Sequence, residues 1–123
     1  MSESLSLLGS IVVTPATGNP SGFIGHSVEL GEAVTLARTQ AVPVELSADP
    51  AVSVSFGVLA SAGFVFIKTT GKVKAEITSA DGATQCVPID TVFLLIALSV
   101  PVTAIRLTRV AGQATTVEVL LGQ

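Results

Sequence analysis

The chain has little charge, and it lacks tryptophan and tyrosine. Its 123 residues include six basic and nine acidic side chains, which give a net charge of −3. Nucleic-acid binding requires a cationic surface, often with aromatic rings for stacking, so this composition argues against it. Charged residues make up 12% of the chain, about half of the usual ~25%. A small domain with so few charges must cover its surface with uncharged side chains or with another molecule.

Reactive side chains are equally scarce, because the chain has one cysteine, Cys86, and one histidine, His26. A single cysteine cannot form an internal disulfide, and it fits synthesis in a reducing cytoplasm. A metal site needs three or four ligands, and a catalytic cysteine needs a nearby base. We therefore predict that Cys86 is a buried small hydrophobe and that His26 is a loop or interface residue. We predict no enzyme activity, metal site or cofactor.

The longest apolar segment is too short to span a membrane as a helix. It runs from Val92 to Ile105 and is interrupted by Pro101, whereas a spanning helix needs about 20 apolar residues. A buried strand followed by a bend is the better prediction. The N-terminal segment contains an acidic residue and no basic region, so we also expect no secretory signal.

Glycine and proline recur throughout the chain, and the segments between them alternate with period two. Such short segments, rich in Val, Ile and Thr, are typical of strands in an all-β fold. We predict an antiparallel β-sandwich, for which a jelly roll is one possible topology. An N-terminal arm and loop would occupy residues 1–25, and the sandwich residues 26–123. The predicted strands are Leu5–Val13, Ser27–Leu30, Ala33–Arg38, Val42–Leu46, Val52–Phe56, Phe64–Lys68, Lys72–Thr78, Thr84–Val87, Val92–Leu98, Thr103–Arg109 and Thr115–Leu121.

Two hairpins are predicted from turn signals and register. An Asp-Gly turn at 81–82 is typical of a two-residue loop, and it would set Ile77 opposite Cys86. A three-residue loop between the last two strands would set Leu107 opposite Val117. Each register keeps apolar side chains on one face, which a slip by one residue would destroy.

The strand Val92–Leu98 is apolar on both faces, although one face of a sandwich strand is normally polar. Its outer side therefore needs cover, and a second copy of the chain is the simplest cover. An apolar N-terminal arm would also need a docking partner. The candidate interface residues are Leu5, Leu7, Leu8, Phe93 and Leu95.

Two segments carry a resemblance to a known class of proteins. They are "KVKAEITSADGATQ", which precedes an apolar strand, and the terminal "PVTAIRLTRVAGQATTVEVLLGQ". Together with the Ala-, Thr-, Val- and Gly-rich body, roughly residues 30 to 123, they resemble small all-β structural proteins of tailed bacteriophages, especially capsid decoration (cement) proteins. The resemblance implies a homotrimer that binds the major capsid protein or other virion proteins and stabilises the shell. It also implies a location in the virion after synthesis in the host cytoplasm. From the composition and the short apolar segment we predict no nucleic-acid or membrane partner.

Two other classes of function remain open at this point. The chain could be a tail or fibre β-sandwich module that contacts a receptor or a glycan. It could also be an enzyme that uses His26 and Cys86, although the sequence places no further catalytic group near either residue. No motif within the resemblance identifies individual site residues.

Overall fold

The structure, a computed structural model, describes residues 3–7, 10–13, 26–29 and 32–123, with side chains from residue 36 onward. Every regular element in these ranges is a β-strand. The strands are β1 (Glu3–Leu7), β2 (Ser10–Val13), β3 (His26–Glu29), β4 (Glu32–Leu36), β5 (Thr39–Leu46), β6 (Val52–Ser53), β7 (Phe64–Thr69), β8 (Val73–Ser79), β9 (Thr84–Ile89), β10 (Val92–Ile96), β11 (Val102–Arg109) and β12 (Thr115–Gly122). None of the described residues form a helix that is long and apolar enough to cross a membrane.

The chain divides into two compact units, residues 1–36 and residues 37–123. In the first unit β1 pairs with β4 and β2 pairs with β3, both antiparallel. The single strand predicted over Leu5–Val13 is therefore two strands with different partners. The boundary predicted between residues 25 and 26 stays a prediction.

Residues 37–123 form two four-stranded antiparallel sheets, which confirms the predicted all-β sandwich. Sheet I has the strand order β10-β7-β12-β5, and sheet II has the order β6-β11-β8-β9. The pairing is nested, because β8 pairs with β9, β7 with β10, β6 with β11 and β5 with β12. Among these pairs only β8–β9 is a local hairpin, so most of the sheet structure joins segments that are distant in sequence. The jelly-roll topology stays a prediction.

The hydrophobic core lies between the two sheets and is built from alternate side chains of both. Sheet I contributes Val117, Val119 and Leu121 from β12, and sheet II contributes Ile105 and Leu107 from β11. These five side chains are at most 2% exposed. Burial of each side chain of this size contributes about 1.5–3 kcal/mol. The period-two pattern of the sequence therefore correctly identified the inward-facing residues of these strands.

The β8–β9 hairpin has a three-residue loop rather than the predicted two-residue turn. The Ser79 N–H donates to the Ala83 carbonyl oxygen at 2.9 Å, and the Gly82 N–H donates to the Ser79 carbonyl oxygen at 2.9 Å. Gly82 has a φ of 88°, the left-handed conformation that typically follows a type I turn in such loops. The Asp-Gly sequence thus marks the end of the turn and not its two central residues.

This extra loop residue shifts the hairpin register by one. Glu76 lies opposite Cys86, and Ile77 lies opposite Gln85. The predicted pairing of Ile77 with Cys86 is therefore wrong. The prediction that Cys86 is buried is also wrong: the shifted register carries it to the outer face of sheet II, where it is exposed.

The second predicted hairpin is wrong because β11 and β12 belong to different sheets. A turn does form between them, and Gly112 within it has a φ of 81°. Beyond the turn the chain crosses to sheet I, so Leu107 lies opposite Ala75, and Val117 lies between β5 and β7. A hairpin and a crossing both place the same alternate side chains in the core, which is why the sequence pattern could not distinguish them.

Candidate interaction surface

β10 has apolar side chains on both of its faces. Phe93 and Leu95 are half-buried and pack against the core. Val92, Leu94 and Ile96 point to the opposite face and are 52%, 39% and 41% exposed. The outer face of this strand is therefore apolar and, in the single chain, open to solvent.

A row of apolar side chains continues from β10 across all four strands of sheet I. Leu94 lies opposite Phe66 of β7, Phe66 opposite Leu120 of β12, and Leu120 opposite Ala41 of β5. Side chains that lie opposite one another on neighbouring antiparallel strands are about 4.5–5.5 Å apart. Leu94 and Ala41 are exposed, and Phe66 and Leu120 are half-buried. These four residues form a continuous row, which we call the apolar row.

Next to the apolar row lies a row with one charge of each sign. It runs from Val92 through Lys68 and Glu118 to Pro43. Lys68 and Glu118 are directly opposite each other on β7 and β12, so the row has no net charge. An open depression of about 350 Å³ spans the two rows and is lined by Ala41, Val42, Pro43, Phe66, Glu118, Val119 and Leu120.

The outer face of sheet II is polar. Arg106 of β11 forms an ion pair with Glu76 of β8 at 3.5 Å. The hydroxyl groups of Thr78 and Thr84 are within hydrogen-bonding distance, at 3.1 Å, on β8 and β9. Cys86 lies on the same face, opposite Glu76. This face has the composition that is expected of a sheet surface in contact with water.

Three of the four edge strands of the sandwich carry a feature that discourages pairing with another chain. β5 contains Pro43, β9 contains Pro88, and β6 is two residues long. Proline cannot donate a backbone hydrogen bond, and a short edge offers few groups to pair with. β10, with the sequence VFLLI, has no proline, glycine or charge. Among the strands that the structure describes, it pairs only with β7.

A groove lies where β9 and β10 form neighbouring edges of the two sheets. Its volume is about 400 Å³, and it is lined by Ile77, Ser79, Asp81, Ala83, Gln85, Val87, Phe93, Leu95, Ala97 and Val100. Phe93 and Leu95 therefore contact the core and also form part of the groove wall. The groove therefore opens to solvent beside the edge of β10 that has no strand partner within the described residues.

The five candidate interface residues fall in two parts of the chain. Leu5 and Leu7 lie on β1, but their side chains are outside the described residues, as is the whole of Leu8. Phe93 and Leu95 lie against the core and along the groove. A contact of any of the five with a second copy stays a prediction.

Sequence reasoning missed the outward residues of β10 and their neighbours on β7 and β12. The relevant residues are Val92, Leu94, Ile96, Phe66 and Leu120. A strand that is apolar on both faces gives no signal for which face is inward, so alternation alone could not select Val92 over Phe93. The partners on β7 and β12 depend on non-local pairing, which no turn signal in the sequence marks.

The described residues do not support the enzyme hypothesis, which requires His26 to act with Cys86. His26 begins β3 and lies opposite Val13, and its side chain is outside the described residues. Cys86 is exposed on a β-sheet face. An exposed thiol can react with reagents without any catalytic role, so such reactivity would not support an enzyme. Within the part of the chain that the structure describes, no three His, Cys, Asp or Glu residues are grouped so that they could hold a metal ion.

Comparisons with known proteins add no functional assignment to this geometry. No family model matches the chain, and no curated protein is similar to it.

Proposed function

We propose that the protein is a non-enzymatic structural protein of a bacteriophage virion, of the capsid decoration type, that self-associates and stabilises the shell. The observation that carries the proposal is the apolar row on the outer face of sheet I. A contiguous exposed apolar surface on a small domain typically marks a site of protein–protein contact. Such a protein requires interfaces and a rigid scaffold, and it needs no active site.

The strand order supports a jelly-roll scaffold for this role. When the eight strands of residues 37–123 are numbered 1 to 8, the observed pairs are 1–8, 2–7, 3–6 and 4–5. A long hairpin with these pairs, rolled into two sheets, gives the orders 6-3-8-1 and 2-7-4-5 that are found here. Jelly rolls are common in viral capsid domains and in lectins. The order fits the decoration role but does not by itself select it over sugar binding.

Stabilisation of a shell by such a protein would follow from mass action. A ligand that binds the assembled shell and not its separated subunits lowers the free energy of the assembled state. At a free concentration of 100 times Kd the gain is about 2.7 kcal/mol for each site. The resemblance implies a trimer on the capsid lattice, so several sites would act together on neighbouring capsid subunits.

A tail or fibre module that contacts a receptor or glycan is the second candidate. The depression beside Phe66 favours it, since it combines an aromatic ring with the charged side chain of Glu118. Saturable binding on a glycan array, lost on Phe66→Ala, would support this candidate. An array without binding would remove its main support.

The decoration role is tested by adding the purified protein to tailed-phage capsids that lack their own decoration proteins. We expect saturable co-sedimentation with the shell and a higher temperature of shell disruption. Thr84→Lys, on the polar face of sheet II, and Leu94→Lys, on the apolar face of sheet I, would identify which face is required. Absence of binding and of any thermal shift across the candidate shells would contradict the proposal.

A further inference from the structure

We propose that β10 pairs edge to edge with β10 of a second copy of this chain, antiparallel and across a two-fold axis. Sheet I would then continue from one copy into the next as a single eight-stranded sheet. This inference concerns the contact between copies, and it does not rest on the virion role.

The four edge strands of the sandwich differ in how well they are protected against pairing with another strand. A flat apolar edge strand with unpaired backbone groups is a template for another strand, so natural sheets usually block it. β5 and β9 are blocked by Pro43 and Pro88, and β6 is very short. β10 has five apolar residues and none of these features. The unprotected edge is therefore the one expected to be paired in the functional state.

β10 is complementary to β10 of a second copy when the two strands run antiparallel. With Leu94 on the two-fold axis, Val92 would lie opposite Ile96 of the second copy and Phe93 opposite its Leu95. Inward side chains then meet inward side chains, and outward ones meet outward ones. A slip by one residue would set inward against outward side chains and destroy this match. A slip by two would keep the match but leave fewer residues paired.

The lack of charge on β10 favours a second copy of the chain as its partner. All five residues of β10 are uncharged, and the nearest charges on this face, Lys68 and Glu118, are one of each sign. A nucleic acid or an anionic membrane would need a basic surface. A second copy of the same apolar strand needs none, and pairing would bury no unpaired charge.

The pairing would also use the residues on both faces of the strand. Val92, Leu94 and Ile96 would form a continuous apolar surface across the seam, while Phe93 and Leu95 would extend the core side. A two-fold contact joins copies in pairs. It therefore predicts an even number of copies, and six if it is combined with the three-fold arrangement that the resemblance implies.

Disulfide trapping tests the register of the pair directly. Residues opposite each other in an antiparallel pair have Cα atoms about 4.5–5.5 Å apart, within the range that a disulfide requires. We would use the full chain with Cys86→Ser, which removes the exposed native thiol, and add Leu94→Cys. With diamide as the oxidant we expect most chains to become covalent dimers. Val110→Cys, at a residue that is 44% exposed in the β11–β12 turn, is the matched control and should stay largely monomeric.

A second pair of variants tests the same register at positions other than residue 94. Val92→Cys mixed with Ile96→Cys should cross-link, because these positions face each other across the axis. Val92→Cys alone should not, since its two copies would be roughly 14 Å apart along the strands. Cross-linking of Leu94→Cys no greater than that of Val110→Cys would overturn the inference. Homodimers of Val92→Cys that form as fast as the mixed species would overturn the antiparallel register.

The result separates this inference from the proposed function. Specific cross-linking without binding to any capsid would leave the paired edge in place and remove support for the decoration role. Capsid binding by a protein that does not cross-link at residue 94 would support the decoration role and overturn the pairing of β10 with a second copy.

Discussion

The outer faces of the two sheets differ in their large apolar side chains. On sheet II, Arg106 and Glu76 form an ion pair whose side chains are 57% and 41% exposed, and threonine hydroxyl groups approach each other across the strands. On sheet I, the apolar row of Leu94, Phe66, Leu120 and Ala41 crosses four strands. Sheet II therefore presents a polar face, whereas sheet I presents an apolar row beside the charged side chains of Lys68 and Glu118.

The inner faces of both sheets are apolar because they form the core. The outer face of each sheet carries three charged strand residues, namely Lys68, Glu118 and Glu45 on sheet I and Lys74, Glu76 and Arg106 on sheet II. Sheet I carries the apolar row in addition. The apolar row, and not a shortage of charged residues, therefore distinguishes the outer face of sheet I.

The largest expected effect contrasts the inner and outer faces of a single strand. Ile67 of β7 is in the core with 0% exposure, so Ile67→Ala should leave a cavity. We expect a loss of about 2–5 kcal/mol in the free energy of unfolding, measured by urea denaturation at any protein concentration. Phe66→Ala, on the outer face of the same strand, should cost less when the protein is dilute. Equal losses for the two variants in dilute protein would mean that Phe66 is a core residue and that the outer face is misassigned.

The next effect concerns the turns that end strands of sheet II. Gly82 and Gly112 have positive φ values of 88° and 81°, and a Cβ atom at either position would meet no atom within 4 Å. Replacement by alanine should therefore cost only the conformational penalty, about 1–2 kcal/mol each by thermal denaturation. Gly82→Asn should cost less, because asparagine tolerates this conformation. Alanine and asparagine variants of equal stability would contradict this explanation.

Association through sheet I should make stability depend on protein concentration. For a dimer, each tenfold increase should raise the apparent free energy of unfolding by about 0.7 kcal/mol per chain, which is half of RT ln 10. Leu94→Lys should abolish this dependence, and Thr84→Lys on sheet II should leave it unchanged. Denaturation curves at several concentrations would measure it. A wild-type curve that does not move with concentration would argue against association.

The smallest expected effect belongs to the surface ion pair of sheet II. Arg106 and Glu76 are both well exposed, so solvent screens their attraction. A double-mutant cycle with Arg106→Gln and Glu76→Gln should give a coupling energy of about 0.2–1 kcal/mol that falls with added salt. A larger coupling that resists salt would show that this face is shielded from water, and it would weaken the contrast with sheet I.

Local patterning predicted most of the strands and the inward residues of β11 and β12, because alternation and turn residues are both local properties. Strands such as β8 and β12 were placed within a residue or two of their observed ends. The predicted register failed at the β8–β9 turn because an Asp-Gly pair suits two loop geometries that differ by one residue. That single difference carried Cys86 from the predicted core to the surface.

Strand pairing and the candidate surface depended on information that local patterns lack. β11 and β12 have matching alternation, which allowed a hairpin that the structure replaces with a crossing between sheets. β10 is apolar on both faces, so its sequence indicated that some face needs cover but did not identify Leu94 as an exposed residue. The neighbours Phe66 and Leu120 became visible only when the non-local pairs of sheet I were known.

We propose that a second copy of the chain covers the edge of β10 and the apolar row of sheet I. The most direct test is the mass of the purified full-length protein by size-exclusion chromatography with light scattering over a range of concentrations. We expect a species with an even multiple of the 12.4 kDa chain mass, and Leu94→Lys should reduce that mass to one half. A wild-type protein with the mass of one chain at every concentration would contradict it.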